Sequence, residues 1–124
     1  MNFLKLNKQR DYRNNYTLFL EDWLEALNTS DCVIIVEGKK DKKALVFHGI
    51  HATRIMVLQG ALHTTVDAVC LLDKTVIILT DFDSEGRKLY AQLKKGFERE
   101  GVCVDRIFRE ALRRYTKISH IEGM

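Results

Sequence analysis

Two short apolar runs, rich in β-branched residues, constrain the fold of this chain more than any other feature. They are Cys32–Val36, with the sequence CVIIV, and Thr75–Thr80, with the sequence TVIILT. Neither run alternates apolar with polar residues, so neither fits a strand with one face in water. Continuous runs of this kind are typical of strands that are buried on both faces, as in a parallel sheet covered by helices.

Helical patterns separate these runs and indicate the rest of the architecture. Helices are predicted at 12–28, 41–49, 63–72, between Gly86 and Gly101, and at 106–117, with further strands at 54–58 and 102–104. Alternating strands and helices predict an α/β fold with a mostly parallel four-stranded sheet, and right-handed crossovers favour the strand order 2-1-3-4. A length of 124 residues fits one domain. The predicted parts of this domain are an N-terminal helix at 12–28, a core over about 31–105 and a basic C-terminal helix at about 106–117.

Acidic residues follow both apolar runs directly. Glu37 comes after the first run, and Asp81, Asp83 and Glu85 come after the second. In the strand order 2-1-3-4 these two strands are neighbours where the winding direction reverses, and open α/β sheets bind ligands there. Clustered carboxylates repel one another unless a cation lies between them, and Mg²⁺ or Mn²⁺ prefers such oxygen ligands. We therefore expect a metal site on Glu37, Asp81 and Asp83, which Glu85 either joins or leaves to begin the next helix, where its charge suits the N-terminal dipole. The alternative is an acidic turn with Ser84 as the helix cap and no ligand.

Basic residues cluster beside the acidic positions and on the last predicted helix. The net charge is only +3, but residues 106–117 carry five basic side chains and one acid. A basic rim around an acidic site suits a polyanion, because lysine and arginine contact backbone phosphates; a solvated surface is the alternative. On the last helix, Arg106, Arg109 and Arg113 are spaced to share one face. The candidate nucleic-acid-binding residues are Lys39, Lys40, Lys42, Lys43, Arg87, Lys88, Arg106, Arg109 and Arg113.

Composition argues against several other classes of site. The three cysteines, Cys32, Cys70 and Cys103, show no CxxC spacing, so we expect reduced and buried thiols. The four histidines show no spacing suited to a four-ligand zinc site. No apolar stretch approaches the roughly 20 residues of a membrane span, and the N-terminus has no signal-peptide core. We therefore expect a cytoplasmic protein without a membrane partner.

Two motifs lie about forty residues apart in the chain. The first is Val36-Glu-Gly-Lys39, with Asp41 two residues further on, and the second is Asp81-Phe-Asp-Ser-Glu-Gly86. Together they resemble the Toprim domain, which is shared by type IA and type II topoisomerases, bacterial primases, certain ribonucleases and repair proteins. The resemblance covers about residues 31–105 and implies a Toprim, Rossmann-like fold. The chain most resembles short stand-alone Toprim proteins of archaea and some bacteria, and its ending, 117–123, looks like theirs.

The resemblance also implies roles for individual residues. Glu37 matches the family glutamate, which acts as general acid or base or shares the metal. Asp81 and Asp83 match the paired aspartates that coordinate Mg²⁺, and Glu85 matches a third acid found in topoisomerases. Lys39 lies in a Glu-Gly-Lys-x-Asp sequence similar to that of the small ribonucleases that mature 5S ribosomal RNA. It therefore joins Glu37, Asp81 and Asp83 as a candidate catalytic residue.

The function that these features favour is a Mg²⁺- or Mn²⁺-dependent phosphodiester enzyme, a small Toprim nuclease with RNA preferred to DNA. The alternative is a non-catalytic metal-binding module that binds nucleic acid within a larger RNA-processing, replication or repair complex. A topoisomerase or primase is not expected, because no tyrosine has a recognisable nucleophile context and 124 residues leave no room for their further domains. A phosphoacceptor receiver domain is disfavoured, since its acidic pair follows the first strand rather than the third. An exposed edge strand or the N-terminal helix would allow a homodimer.

Overall fold

The computed structural model describes residues 11–124, over which helices and strands alternate. The helices are α1 (Tyr16–Thr29), α2 (Lys39–Phe47), α3 (Leu62–Cys70), α4 (Ser84–Arg99) and α5 (Ile107–Tyr115). The strands are β1 (Val33–Val36), β2 (Ile55–Val57), β3 (Val76–Leu79) and β4 (Val104–Asp105). Two short 3₁₀ turns occupy Ala52–Arg54 and Ile121–Gly123.

The four strands form one sheet in the order β2-β1-β3-β4, and every pairing is parallel. This confirms the predicted fold class and strand order. The two apolar runs form the central pair, β1 and β3, in which Val36 lies opposite Leu79. Because their last residues are level, the acids that follow them emerge at the same edge of the sheet.

Both faces of the central strands are covered, as their continuous apolar sequence predicts. All eight residues of β1 and β3 are buried. One face packs against α1 and α5 through a cluster that includes Trp23, Leu27 and Leu112, and the other packs against α3 and α4 through Val69 and Phe97. The sheet is therefore an inner layer between two helical layers, which holds its carboxyl edge in a fixed position.

Some helix and strand boundaries differ from the predicted ones for local reasons. Helix α2 begins two residues before the predicted start, because the Asp41 carboxylate accepts a hydrogen bond from the Gly38 amide at 3.0 Å and closes the first turn. Strand β4 begins two residues later than predicted, since the Val102 amide still donates to the Phe97 carbonyl at 2.9 Å and completes the end of α4. Helix α5 ends two residues early at Tyr115, after which the backbone becomes extended.

The chain after α5, residues 116–124, crosses back over the carboxyl edge of the sheet, and we call it the C-terminal segment. The Phe82 amide donates to the Ser119 carbonyl at 2.8 Å, and the side chain of Ile121 is fully buried in the core. The Met124 carbonyl lies 3.2 Å from the His48 ring nitrogen Nε2. These contacts attach the segment to the β3–α4 turn, the core and helix α2.

Two further expectations concern the cysteine thiols and membrane-spanning helices. All three cysteines are free, and Cys32 and Cys70 are partly buried. Cys103 is exposed, so the expectation that every thiol is buried is wrong at this position. Within residues 11–124 no helix has the length and apolar content that crossing a bilayer requires.

Candidate metal centre

Glu37 and Asp81 meet at the carboxyl edge of the central strands. Glu37 directly follows β1, and Asp81 follows β3 after a single residue, Thr80. The backbone amide of Asp81 donates a hydrogen bond to Glu37 Oε2 at 2.6 Å. Residues that are 44 positions apart in the chain are thus in direct contact, because their strands are paired with level ends.

Asp83 lies beside Asp81 and caps helix α4. Its Oδ1 atom accepts a hydrogen bond from the Gly86 amide at 2.8 Å, and its Oδ2 atom lies 3.3 Å from His120 Nε2. The Oδ1 atom of Asp81 accepts a hydrogen bond from the Ile121 amide at 3.0 Å. One potential ligand atom from each of Asp81, Asp83 and His120 lies within 4.8 Å of the others. Each aspartate therefore uses one oxygen in a backbone hydrogen bond, which fixes its orientation.

The β3–α4 turn depends on a glycine at position 86. A Cβ atom at Gly86 would lie 2.0 Å from the carbonyl oxygen of Asp81, closer than any real contact. The Thr80 hydroxyl donates to the Gly86 carbonyl at 2.7 Å and holds the helix start against the strand end. Because Gly86 has no side chain, the turn can close tightly against the backbone of Asp81. This brings Asp81 and Asp83 to the same side of the turn.

The electrostatic environment of Glu37 is unfavourable for its negative charge. Burial raises the pKa of the Glu37 carboxyl to about 7, and the neighbouring carboxylates of Asp81 and Asp83 add to this rise. The hydrogen bond from the Asp81 amide opposes the rise in the pKa without cancelling it. A cation placed among these carboxylates would favour the charged form of Glu37.

Arg109 is buried, although its helical spacing places it on one basic face with Arg106 and Arg113. Its side chain is buried, and its guanidinium donates to the carbonyls of Ile78, Thr80 and Asp81. Strand β4 pairs only with Val76 and Ile77, so the later carbonyls on this side of β3 have no strand partner and Arg109 takes that place. Its guanidinium carbon lies 4.7 Å from the centre of the Phe82 ring and 4.5 Å from that of Tyr90, and burial lowers its pKa.

Apart from Lys42, the other predicted basic residues are exposed. Lys42 is partly buried, and Arg113 pairs with Glu110 on α5. Seven of the nine candidates are exposed: Lys39, Lys40, Lys43, Arg87, Lys88, Arg106 and Arg113. Lys39 is the first residue of α2 and is separated from Glu37 by Gly38 alone. These positions remain predicted nucleic-acid contacts.

Two other acids of the sequence motifs, Glu85 and Asp41, do not belong to the group formed by Asp81, Asp83 and His120. Glu85 is exposed in the first turn of α4 and is not part of the group formed by Asp81, Asp83 and His120. Asp41 is buried, and its second oxygen accepts a hydrogen bond from the Glu122 amide at 3.1 Å. Burial raises the Asp41 pKa. Asp41 therefore connects the start of α2 to the C-terminal segment.

The spacing of the histidines predicts no metal ligand among them, but the structure brings His120 to the two aspartates. The only signal in the sequence was the resemblance of residues 117–123 to the ending of small Toprim proteins. Hydrophobic periodicity could not have found it, because His120 precedes a short 3₁₀ turn in an otherwise irregular segment.

The donor set fits a divalent cation. Across residues 11–124, no lysine or arginine forms an ion pair with Glu37, Asp81 or Asp83, and the basic side chain in contact with these acids is that of His120. The Arg109 guanidinium donates to the backbone carbonyls of Thr80 and Asp81 rather than to their side chains, although its charge also interacts with Glu37 and Asp81. Carboxylate oxygens are the ligands that Mg²⁺ and Mn²⁺ take, and imidazole is a common ligand of first-row transition metals. The residues present can therefore hold such an ion.

Comparison with known proteins gives a family match and several relatives. A sequence model of the Toprim domain matches residues 31–108. A UPF0292 protein of Methanocaldococcus jannaschii is 34% identical over 94 residues, which are 73% of each chain. A UPF0292 protein of Archaeoglobus fulgidus is 32% identical over 116 residues, covering 88% of this chain and 90% of its own. A solved structure of a putative protein from Aquifex aeolicus, 34% identical, superimposes with a TM-score of 0.74 and covers 85% of this chain and 97% of its own.

Proposed function

Since this chain belongs to the Toprim domain family, we propose that it is a Mg²⁺- or Mn²⁺-dependent enzyme that cleaves phosphodiester bonds in nucleic acid. Membership of the family indicates a metal-binding function related to nucleic acids. The nuclease activity goes beyond that and is our proposal. It includes RNA as the preferred substrate, because the Glu-Gly-Lys-x-Asp sequence resembles that of ribonucleases that process ribosomal RNA.

The contact between Glu37 and Asp81 supports this proposal more than any other observation. Asp81 and Asp83 would hold the ion, since each has one oxygen fixed by a backbone hydrogen bond and a second oxygen that an ion could bind, which in Asp83 faces His120. The pKa of Glu37 is raised to about 7 in the metal-free protein, and a bound cation would favour its charged form, in which Glu37 can accept a proton as a general base or share the ion. A bound divalent cation supplies polarisation of a phosphoryl oxygen and a lower pKa of bound water.

The surface around the acids supports a polyanionic substrate. Lys39 is exposed at the first turn of α2, two residues from Glu37. The amide groups at the start of a helix favour anions as well, so a phosphate at this position would meet two sources of positive potential. We propose that Lys39 holds the phosphate next to the one that reacts. Arg87 and Lys88, exposed on the first turns of α4, would contact the backbone on the other side of the acids.

The test is a cleavage assay with end-labelled structured RNA, single-stranded DNA and duplex DNA, each with Mg²⁺, Mn²⁺ or a chelator. The variant Asp81→Asn keeps an oxygen that can accept from the Ile121 amide, so we expect it to fold normally and to lose metal-dependent cleavage. The control is Asp67→Asn, the same chemical change at an exposed residue of α3. Undiminished cleavage by Asp81→Asn would refute the proposal. Salt-dependent binding without turnover on any substrate would instead favour the non-catalytic module.

A further inference from the structure

We propose that His120 is a ligand of the metal ion, so that the centre is an Asp-Asp-His site that binds a first-row transition ion such as Mn²⁺ more tightly than Mg²⁺. The inference rests on the proposed metal-binding function of Asp81 and Asp83. It adds a ligand from the C-terminal segment, which lies outside the matched residues 31–108.

The spacing of the ligand atoms suits a shared octahedral ion. With metal–ligand bonds of about 2.1 Å, adjacent ligands lie roughly 3 Å apart and opposite ligands roughly 4.2 Å apart. His120 Nε2 lies 3.3 Å from Asp83 Oδ2, and the ligand atoms of all three residues lie within 4.8 Å of one another. The contact between His120 and Asp83 therefore matches adjacent ligand positions, and the third ligand atom, from Asp81, lies close enough for the same ion to be shared after a side-chain adjustment.

The imidazole ring is oriented for binding through Nε2. Its other nitrogen, Nδ1, lies 2.8 Å from the Ser119 hydroxyl oxygen. When an ion is bound at Nε2, the ring proton is on Nδ1, which can donate it to the Ser119 hydroxyl. Metal-binding histidines almost always make such a hydrogen bond with the second nitrogen, which fixes the tautomer and the ring orientation.

The backbone on both sides of His120 is held in place, so the histidine is not carried by a loose chain end. The Ser119 carbonyl accepts from the Phe82 amide, and the amides of Ile121 and Glu122 donate to the carboxylates of Asp81 and Asp41. The Ile121 side chain is fully buried. His120 is therefore positioned by its neighbours before any ion binds.

A nitrogen ligand changes which ion the site prefers. Mg²⁺ takes oxygen ligands almost exclusively, whereas imidazole suits first-row transition metals. Replacing one water or carboxylate oxygen by His120 Nε2 therefore raises the affinity for Mn²⁺ relative to Mg²⁺. A site formed by Glu37, Asp81 and Asp83 alone would lack this preference.

The experiment measures Mn²⁺ and Mg²⁺ binding by isothermal titration calorimetry for the wild-type protein and for His120→Ala, with His63→Ala, an exposed histidine on α3, as the matched control. Loss of even an outer-shell partner costs about 10–100-fold in metal affinity, so we expect His120→Ala to weaken Mn²⁺ binding at least tenfold. Mg²⁺ binding should change much less. The control variant should bind both ions as the wild type does.

A second readout needs no variant and so remains informative if His120→Ala fails to fold. Pulsed electron paramagnetic resonance of Mn²⁺ bound to the wild-type protein should show hyperfine coupling to a histidine nitrogen. Bound Mn²⁺ without that coupling would overturn the role of His120 and leave the carboxylate site intact. If neither ion binds the wild-type protein, the proposed function fails together with this inference. Equal binding of Mn²⁺ by the wild type and a folded His120→Ala variant also overturns the inference.

Discussion

The substitution Gly86→Ala should damage both the stability of the protein and its metal centre. A Cβ atom at this position would lie 2.0 Å from the carbonyl oxygen and 2.5 Å from the carbonyl carbon of Asp81. Both are backbone atoms, so the strand end or the start of α4 must move, and such overpacking costs about 1–3 kcal/mol. Alanine returns up to about 1 kcal/mol as a better helix former. Since the overlap is severe, we expect a net loss near the upper end, about 2 kcal/mol.

A second glycine on the same helix provides the control for this prediction. A Cβ atom at Gly96 would lie 3.2 Å from a methyl group of Val66, which is a side chain that can adjust. Gly96→Ala should therefore stay within about 1 kcal/mol of the wild type, because the gain in helix propensity offsets the tight contact.

The measurement is urea unfolding followed by the fluorescence of Trp23, the only tryptophan of the chain and fully buried. A loss of 2 kcal/mol corresponds to a midpoint of thermal unfolding lower by roughly 8 °C for a chain of this size. Mn²⁺ binding should weaken as well, since Asp81 cannot keep its position. If Gly86→Ala were as stable as Gly96→Ala and bound Mn²⁺ equally well, the account of the β3–α4 turn would be wrong.

Two further predictions concern charge. Because the pKa of Glu37 is raised from 4.5 to about 7, the folded metal-free protein holds more protons than the unfolded chain between these values. Its stability should therefore fall as the pH rises through this window, and unfolding curves of Glu37→Gln measured across it should show a flatter dependence. The second change, Arg109→Met, leaves buried carbonyls of β3 without donors and should cost roughly 2–3 kcal/mol in urea unfolding. Arg113→Met, at an exposed ion pair, should cost less than about 1 kcal/mol, and similar losses for both arginines would contradict this assignment.

Those parts of the structure that depend on short-range patterns could be predicted from the sequence. The apolar runs predict β1 and β3, and the rules for parallel sheets predict that the two are neighbours. The convergence of Glu37 and Asp81 then follows from the strand order, since residues directly after level strand ends must lie close together. No side-chain detail is needed for that conclusion.

Arg109 and His120 depend on features that local patterns do not contain. Helical spacing groups Arg109 with Arg106 and Arg113, but its burial results from the short β4, which leaves carbonyls of β3 unpaired. The position of His120 depends on the path of the chain after α5, which has no repeating pattern. Both residues satisfy requirements that arise only when distant segments come together.

The C-terminal segment is attached to the rest of the fold without a metal ion, so ion binding does not have to order this part of the backbone. Its contacts through Ile121 and through the hydrogen bond from Glu122 to Asp41 do not involve an ion. The backbone that carries His120 is therefore already held when the ion arrives, and preorganised ligands lose less of their interaction energy to ordering. The remaining obstacle is the unfavourable negative charge of the site: burial, and secondly the neighbouring carboxylates of Asp81 and Asp83, raise the pKa of Glu37. Since the cation offsets that charge directly, the free energy of metal binding should appear both as affinity and as added stability of the fold.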